Sequence, residues 1–118
     1  MHGIEWLNEP EEHNYTGAAS YLDLLYNDSA PLIRRFKAAG MSVFRVNDIF
    51  RASKSIILPK DNHKVKEITS KIVGRIPLSP VLLIKHPVST IIADGYHRLC
   101  AVYYFNEFSL VRCKILNQ

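Results

Sequence analysis

Cysteine is scarce in this chain of 118 residues, which has only Cys100 and Cys113. Neither belongs to a Cys-x-x-Cys pair, and no His/Cys spacing matches a zinc site. Cys100 lies among Leu99, Ala101 and Val102, and Cys113 alternates with Val111 and Ile115. Both therefore read as small core hydrophobes, reduced in a cytosol, although sequence alone leaves a bridge between them open. No apolar run approaches the roughly 20 residues that cross a bilayer. The opening Met1-His2-Gly3-Ile4-Glu5-Trp6 lacks a basic segment followed by an apolar one. The expectation is a cytoplasmic protein without membrane contact. Internal repeats and low-complexity stretches are missing too, as is any cluster of metal-binding carboxylates that would support a nuclease.

The length suits a single domain with a real core. Hydrophobic residues make up 47% and charged residues 22%, a balance that argues against intrinsic disorder. The net charge of +4 suits an anionic partner, such as a nucleotide phosphate or a nucleic acid, but does not require one.

The first fifteen residues are acidic and aromatic, and Pro10 interrupts any helix there. They read as an arm pinned by Trp6 and Leu7. A first helix is predicted over about Gly17 to Leu25, with Ala18, Tyr21, Leu22 and Leu25 on one apolar face. A second follows Ser29 as N-cap, carries Pro31 in its first turn and the stripe Leu32, Ile33, Phe36 and Ala39, and stops at a left-handed Gly40. Met41 to Val46 reads as a strand. Asn47 then caps a short helix over Asp48 to Ser53 with Ile49 and Phe50 inward. Asp61 or Asn62 caps a further helix that buries Val65, Ile68 and Ile72 and ends at Gly74. Val81 to Ile84 is a continuous apolar run typical of a buried strand, and it pairs as a hairpin with Thr90 to Ala93. A helix from about Tyr96 to Phe105 buries Leu99, Val102 and Tyr103, and a last strand covers Leu110 to Leu116. The fold class that follows is α+β, a mixed β-sheet with packed helices.

Chemistry concentrates in Asp94-Gly95-Tyr96-His97-Arg98. A buried strand delivers these residues into the first turn of a helix, where free backbone N–H groups and the positive end of the helix dipole favour an anion. Gly95 lets the backbone turn and a ligand approach. Arg98 can hold a phosphate with two parallel hydrogen bonds. His97 can donate a hydrogen bond or shuttle a proton near neutral pH. Asp94 can hold a metal ion, accept a proton from a hydroxyl, or cap the helix. A cation at a helix start is disfavoured, so Arg98 needs an anion or a partner such as Glu67 or Glu107. A second polar group, Ser53-Lys54-Ser55 and Lys60-Asp61-Asn62-His63-Lys64, offers Lys54, Lys60 and His63 as further phosphate contacts, or simply makes a solvated loop.

Leu78-Ser79-Pro80-Val81-Leu82-Leu83-Ile84, followed by Thr90-Ile91-Ile92-Ala93-Asp94-Gly95-Tyr96-His97-Arg98-Leu99-Cys100-Ala101, resembles the core of the ParB/sulfiredoxin-like superfamily, in the form of a stand-alone small bacterial member. The resemblance covers about residues 41 to 116, with residues 1 to 40 as an N-terminal arm and helical extension and 41 to 118 as the core of one compact domain. It implies that Gly95, Tyr96, His97 and Arg98 surround nucleotide phosphates, with Asp94 in the place of the acidic residue that serves phosphoryl transfer in free-serine-kinase-like members. Sulfiredoxins carry a catalytic cysteine just before the His-Arg pair. This chain has Tyr96 there, so that chemistry is not expected. Chromosome-partitioning members add a helix-turn-helix domain after the core, and the sequence given stops at Gln118, so centromere binding is not expected either.

Two functions follow. One is a nucleotide-phosphate-binding domain, in its catalytic form a small phosphotransferase or nucleotide hydrolase with Asp94 and His97 catalytic and ATP, ADP or CTP with Mg²⁺ as cofactor. The other is a non-catalytic module on the same fold that holds nucleic acid or protein, with Tyr103, Tyr104, Phe105 and Phe108 available to a homodimer interface or to the core.

Overall fold

The computed structural model describes residues 3 to 118, so Met1 and His2, the start of the expected arm, lie outside the described residues. The elements run α1 (Glu12–Leu22), α2 (Ala30–Ala38), β1 (Ser42–Arg45), α3 (Val46–Ser53), α4 (His63–Val73), β2 (Val81–Lys85), β3 (Ile91–Asp94), α5 (Tyr96–Phe105) and β4 (Leu110–Asn117). The four strands form one mixed sheet in the order β1-β4-β2-β3. β4 pairs antiparallel with β1 and parallel with β2, and β2 pairs antiparallel with β3 across an irregularity between Leu82 and Leu83. The fold is a compact α+β architecture, as the alternation of helical and strand patterns predicts.

Both faces of the sheet are covered, which is why β2 reads as an unbroken apolar run: Val81, Leu82, Leu83 and Ile84 are all buried. On one face Val81, Leu83, Val111 and Cys113 meet Val46, Ile49 and Phe50 of α3, Val65 and Ile72 of α4, and Leu99 and Val102 of α5. On the other, Leu82, Ile84, Ala93 and Leu116 meet Tyr15, Ala18 and Leu22 of α1 and Leu32 and Phe36 of α2. The first forty residues thus supply one complete layer. Cys100 and Cys113 are both free thiols and both buried.

The arm is pinned as expected, and through its backbone. Trp6 makes a parallel bridge with Leu78, flanked by Leu7 N–H to Leu78 O at 2.9 Å and Leu78 N–H to Glu5 O at 2.8 Å. Ser79 donates its hydroxyl to Glu11 at 2.6 Å. The buried Lys114 ammonium reaches Glu9 at 3.1 Å and the Lys37 carbonyl at 3.2 Å. A buried ammonium needs such partners, so β4 holds the arm in place.

Several local expectations are corrected. The first helix begins at Glu12 rather than Gly17, because Asn14 Oδ1 takes the Glu11 backbone N–H at 2.8 Å and starts the helix right behind Pro10. It ends at Leu22, so Leu25 falls off the buried face, and Tyr21 also points away from the core. Ser29 precedes α2 without a side-chain cap bond; the Asp28 carboxylate accepts the Ala30 N–H instead. Asn47 lies inside α3, which starts one residue earlier after an extended Arg45. Gly40 and Gly74 are not left-handed. α2 leaves through an extended Ala39, and the positive φ after α4 falls on Arg75. Asn62 does cap α4, accepting from the Lys64 and Val65 N–H groups. The two strands of the hairpin, α5 and β4 stand essentially where the sequence puts them.

Candidate functional site

β3 runs to Asp94, and Gly95 turns the chain into α5. Gly95 has φ +110°, and a Cβ there would stand 2.8 Å from Val81 Cβ and 2.9 Å from the Arg98 guanidinium. Glycine is therefore required twice, for its dihedral and for the space. No side chain caps α5, and the first intrahelical bond is Leu99 N–H to Gly95 O at 2.9 Å. The backbone N–H groups of Tyr96, His97 and Arg98 precede that bond and point out of the helix start.

That helix start lies at one end of a cleft of about 680 Å³. All four residues of β3 line it, together with Gly17 and Tyr21 of α1, the loop 53–56 after α3, and Ser89 and Thr90 before β3. Four consecutive strand residues can line one cleft only along the strand's edge, since side chains alternate between faces. β3 is the last strand of the sheet, and its outer edge is the cleft floor. The segment is held on both sides: just before it, Thr90 N–H donates to Ala52 O of α3 at 2.9 Å, and at its end the Tyr96 hydroxyl donates to Ile56 O. Further along, the Tyr104 hydroxyl donates to Leu58 O at 2.8 Å.

The five motif residues divide. Asp94, Gly95, Tyr96 and His97 line the cleft. Arg98 does not: its guanidinium turns back to Asp94 Oδ2 at 2.9 Å, with both side chains mostly buried. The anion that the cation at this helix start needs is Asp94, four residues before it, and neither Glu67 nor Glu107. Asp94 Oδ1 faces α1, where a Cβ on Gly17 would come within 2.9 Å of it. Burial, and then the charge of Lys64, hold His97 below its ordinary value, so its imidazole is neutral near pH 7. Burial, with Cys100 beside it, pushes the Tyr96 hydroxyl up, so it stays protonated and keeps donating to Ile56. Burial also raises Cys100, against the pull of the Leu58 N–H and the Tyr96 hydroxyl.

Of the second polar group, Ser53, Lys54 and Ser55 reach the cleft, and Lys60 and His63 do not. Lys54 holds φ 58°, the left-handed end of α3. Lys60 lies over the Tyr104 ring, 5.4 Å from its centroid, and His63 pairs with Glu67 at 3.1 Å. Tyr21 and Gly17 were not marked by the motif. Their signal was weak, since Tyr21 continues the apolar stripe of α1 and only the packed structure shows it facing the cleft. Lys64, which acts on His97, stood in the second polar group but was not singled out as a phosphate contact.

Among the described residues, no group of three or more His, Cys, Asp or Glu side chains is placed to hold a metal ion. Asp94, the candidate Mg²⁺ ligand, has one carboxylate oxygen engaged by Arg98. No helix is long and apolar enough to cross a membrane among the described residues.

The fold and site define a small α+β domain with an elongated cleft that ends on an uncapped helix start. No family model, curated protein or solved structure matches the chain.

Proposed function

We propose that this cleft binds the phosphate of a nucleotide or another phosphorylated small molecule, on a fold of the ParB/sulfiredoxin-like kind. The observation that carries the reading is the start of α5, which no side chain caps and which opens into the cleft behind Gly95. The neutral His97 donates one hydrogen bond to a phosphate oxygen, and the exposed Lys54 supplies a positive charge. Arg98 acts indirectly: it fixes Asp94 and the turn. With Asp94 Oδ2 engaged, binding is better supported than phosphoryl transfer or hydrolysis, and any Mg²⁺ arrives with the nucleotide.

Calorimetric and thermal-shift titrations with ATP, ADP, CTP, GTP and pyrophosphate, with and without Mg²⁺, test this on the wild type, His97→Ala and Lys54→Ala. Stabilisation by at least one of them, weakened in both variants, supports the reading. No shift with any of them, in a folded sample, sinks it.

A second reading, protein contact by a homodimer, has its own observation. Val43, Phe105 and Leu110 are exposed and line a shallow groove of about 490 Å³ with Trp6, beside the edge strand β1. Sedimentation at rising concentration tests it, and a monomer throughout removes it. A nucleic-acid partner would instead show binding that weakens steeply with salt.

A further inference from the structure

We infer that two copies of this chain pair β1 with β1, antiparallel, about a twofold axis at Phe44, and so join their sheets into one. This rests on the homodimer reading above and gives that contact its strand, its register and its axis.

The sheet has two edges, β3 and β1. β3 faces the cleft, where α1 lies against Asp94. β1 is the open edge: Val43 is 52% exposed, Phe44 is 40% exposed, and Arg45 is exposed as well. Edge strands are commonly guarded by lysine, proline or a bulge. Ser42-Val43-Phe44-Arg45 holds neither residue type, and it pairs with β4 without a shift of register.

The hydrogen-bond phase of β1 selects its partner. Ser42, Val43, Phe44 and Arg45 stand opposite Cys113, Arg112, Val111 and Leu110, and the same register continues in Val46 N–H to Ser109 O at 2.9 Å. Bonded and unbonded pairs alternate along an antiparallel ladder. Ser42 and Phe44 therefore bond to β4, while Val43 and Arg45 turn their N–H and C=O groups outwards. A second β1 satisfies all of these groups in one register, with Val43 opposite the partner's Arg45 and Arg45 opposite the partner's Val43. Centring the axis on Arg45 makes half the bonds and sets like charges face to face, which a sheet disfavours. Centring it on Val43 leaves Arg45 opposite the partner's Met41, outside the strand.

Both faces suit the same register. Phe44 meets the partner's Phe44 at a non-hydrogen-bonded site, where facing side chains come closest. Phe44 shares its face with Val111 of the core and lines a small cavity of about 170 Å³ with Ile49 and Ile115 of that layer. The aromatic pair carries this apolar layer from one copy into the other. On the opposite face Arg45 lies between Leu110 and the partner's Val43, two exposed apolar residues that its stem can cover. A strand pair this short buries little area, so the dimer forms in the micromolar range.

The test is sedimentation across that range for the wild type, Phe44→Glu, Phe44→Lys and an equimolar mixture of the two variants. Hydrogen exchange at the Val43 and Arg45 amides of the wild type, at high and low concentration, needs no substitution. The expected result is a wild type that dimerises, variants that are each monomeric, and a mixture that dimerises again because opposite charges meet on the axis. The two amides are then protected at high concentration and exchange freely on dilution. If the wild type dimerises while these amides exchange at one rate throughout, the β1 interface is overturned and the homodimer reading stands through another surface. The interface is equally overturned if the folded single variants dimerise as the wild type does. A wild type that stays monomeric overturns both. Phe44 lies outside the buried core, so the variants are expected to fold, and the exchange measurement decides the matter if they do not.

Discussion

The guanidinium of Arg98 lies 2.9 Å from the Asp94 carboxylate, and the pair brackets the glycine that opens α5. A cation at a helix start is unfavourable unless an anion accompanies it. Here the anion comes from the end of the preceding strand, so the ion pair joins strand to helix across the turn. Replacing Arg98 by Ala leaves Asp94 without its partner. With both side chains mostly buried, a loss of about 2 kcal/mol is expected in urea unfolding. Asp94→Asn with Arg98→Met should cost less than Arg98→Ala alone, because it removes the stranded charge.

Gly95→Ala should destabilise by about 3 kcal/mol, from the positive φ together with the collision with Val81. Gly17→Ala is the more diagnostic change. In an ordinary helix interior it would stabilise by about 0.5–1 kcal/mol. Here the added methyl meets an Asp94 oxygen that Arg98 keeps from moving, so a net loss is expected in the same unfolding measurement.

His97 should titrate below 6.5 in the folded protein, followed by the NMR shift of its ring protons. The unfolded imidazole binds its proton near pH 6.5 and the folded one only at lower pH, so between those values the unfolded state holds more protons. Stability therefore rises with pH through that window and falls as the pH drops through it. His97→Gln should flatten this slope, and a bound phosphate should raise the His97 midpoint.

Both thiols should resist a thiol reagent such as Ellman's at pH 8 until the protein unfolds. Burial pushes Cys113 up to about 12, and Cys100 is raised as well, so little thiolate forms and neither sulfur is accessible.

Glu9→Gln should lower the thermal midpoint, because Lys114 is left in the interior with the Lys37 carbonyl and the face of Tyr15 for company. Glu9 itself is well exposed, so solvent softens the loss to about 1 kcal/mol. Lys114→Met, which removes the buried charge, should cost less than Glu9→Gln does.

What the sequence disclosed follows from how local each signal is. Helix α5 and the β2–β3 hairpin are set by neighbouring residues: an apolar run, a sharp glycine, then apolar residues at helical spacing. They are found where expected. The start of α1 was hidden because its cap uses Glu11 and Asn14 rather than a Ser or Thr. Gly40 and Gly74 look like helix stops, but a residue type only permits a left-handed turn, and the surrounding chain here chose Ala39 and Arg75 for the exits. At the site, the motif identified the helix start correctly but not the direction of the Arg98 side chain. Its spacing of four from Asp94 held that information, since such a pair shares one side of the turn. Tyr21 and Lys64 meet the motif only through tertiary packing, which no local pattern encodes.

The strand order has a consequence for synthesis. Among the described residues β4 is the last of nine elements, yet it lies between β1 and β2 and supplies the hydrogen bonds that join them. As the polypeptide leaves the ribosome, β1 and β2, with its apolar run Val81 to Ile84, emerge with the space between them empty. The hairpin can close early, but the sheet cannot be completed until residues 110–117 are released. Completion of the sheet therefore waits for β4, and until then the nascent hairpin carries a bare hydrophobic flank that a chaperone can cover.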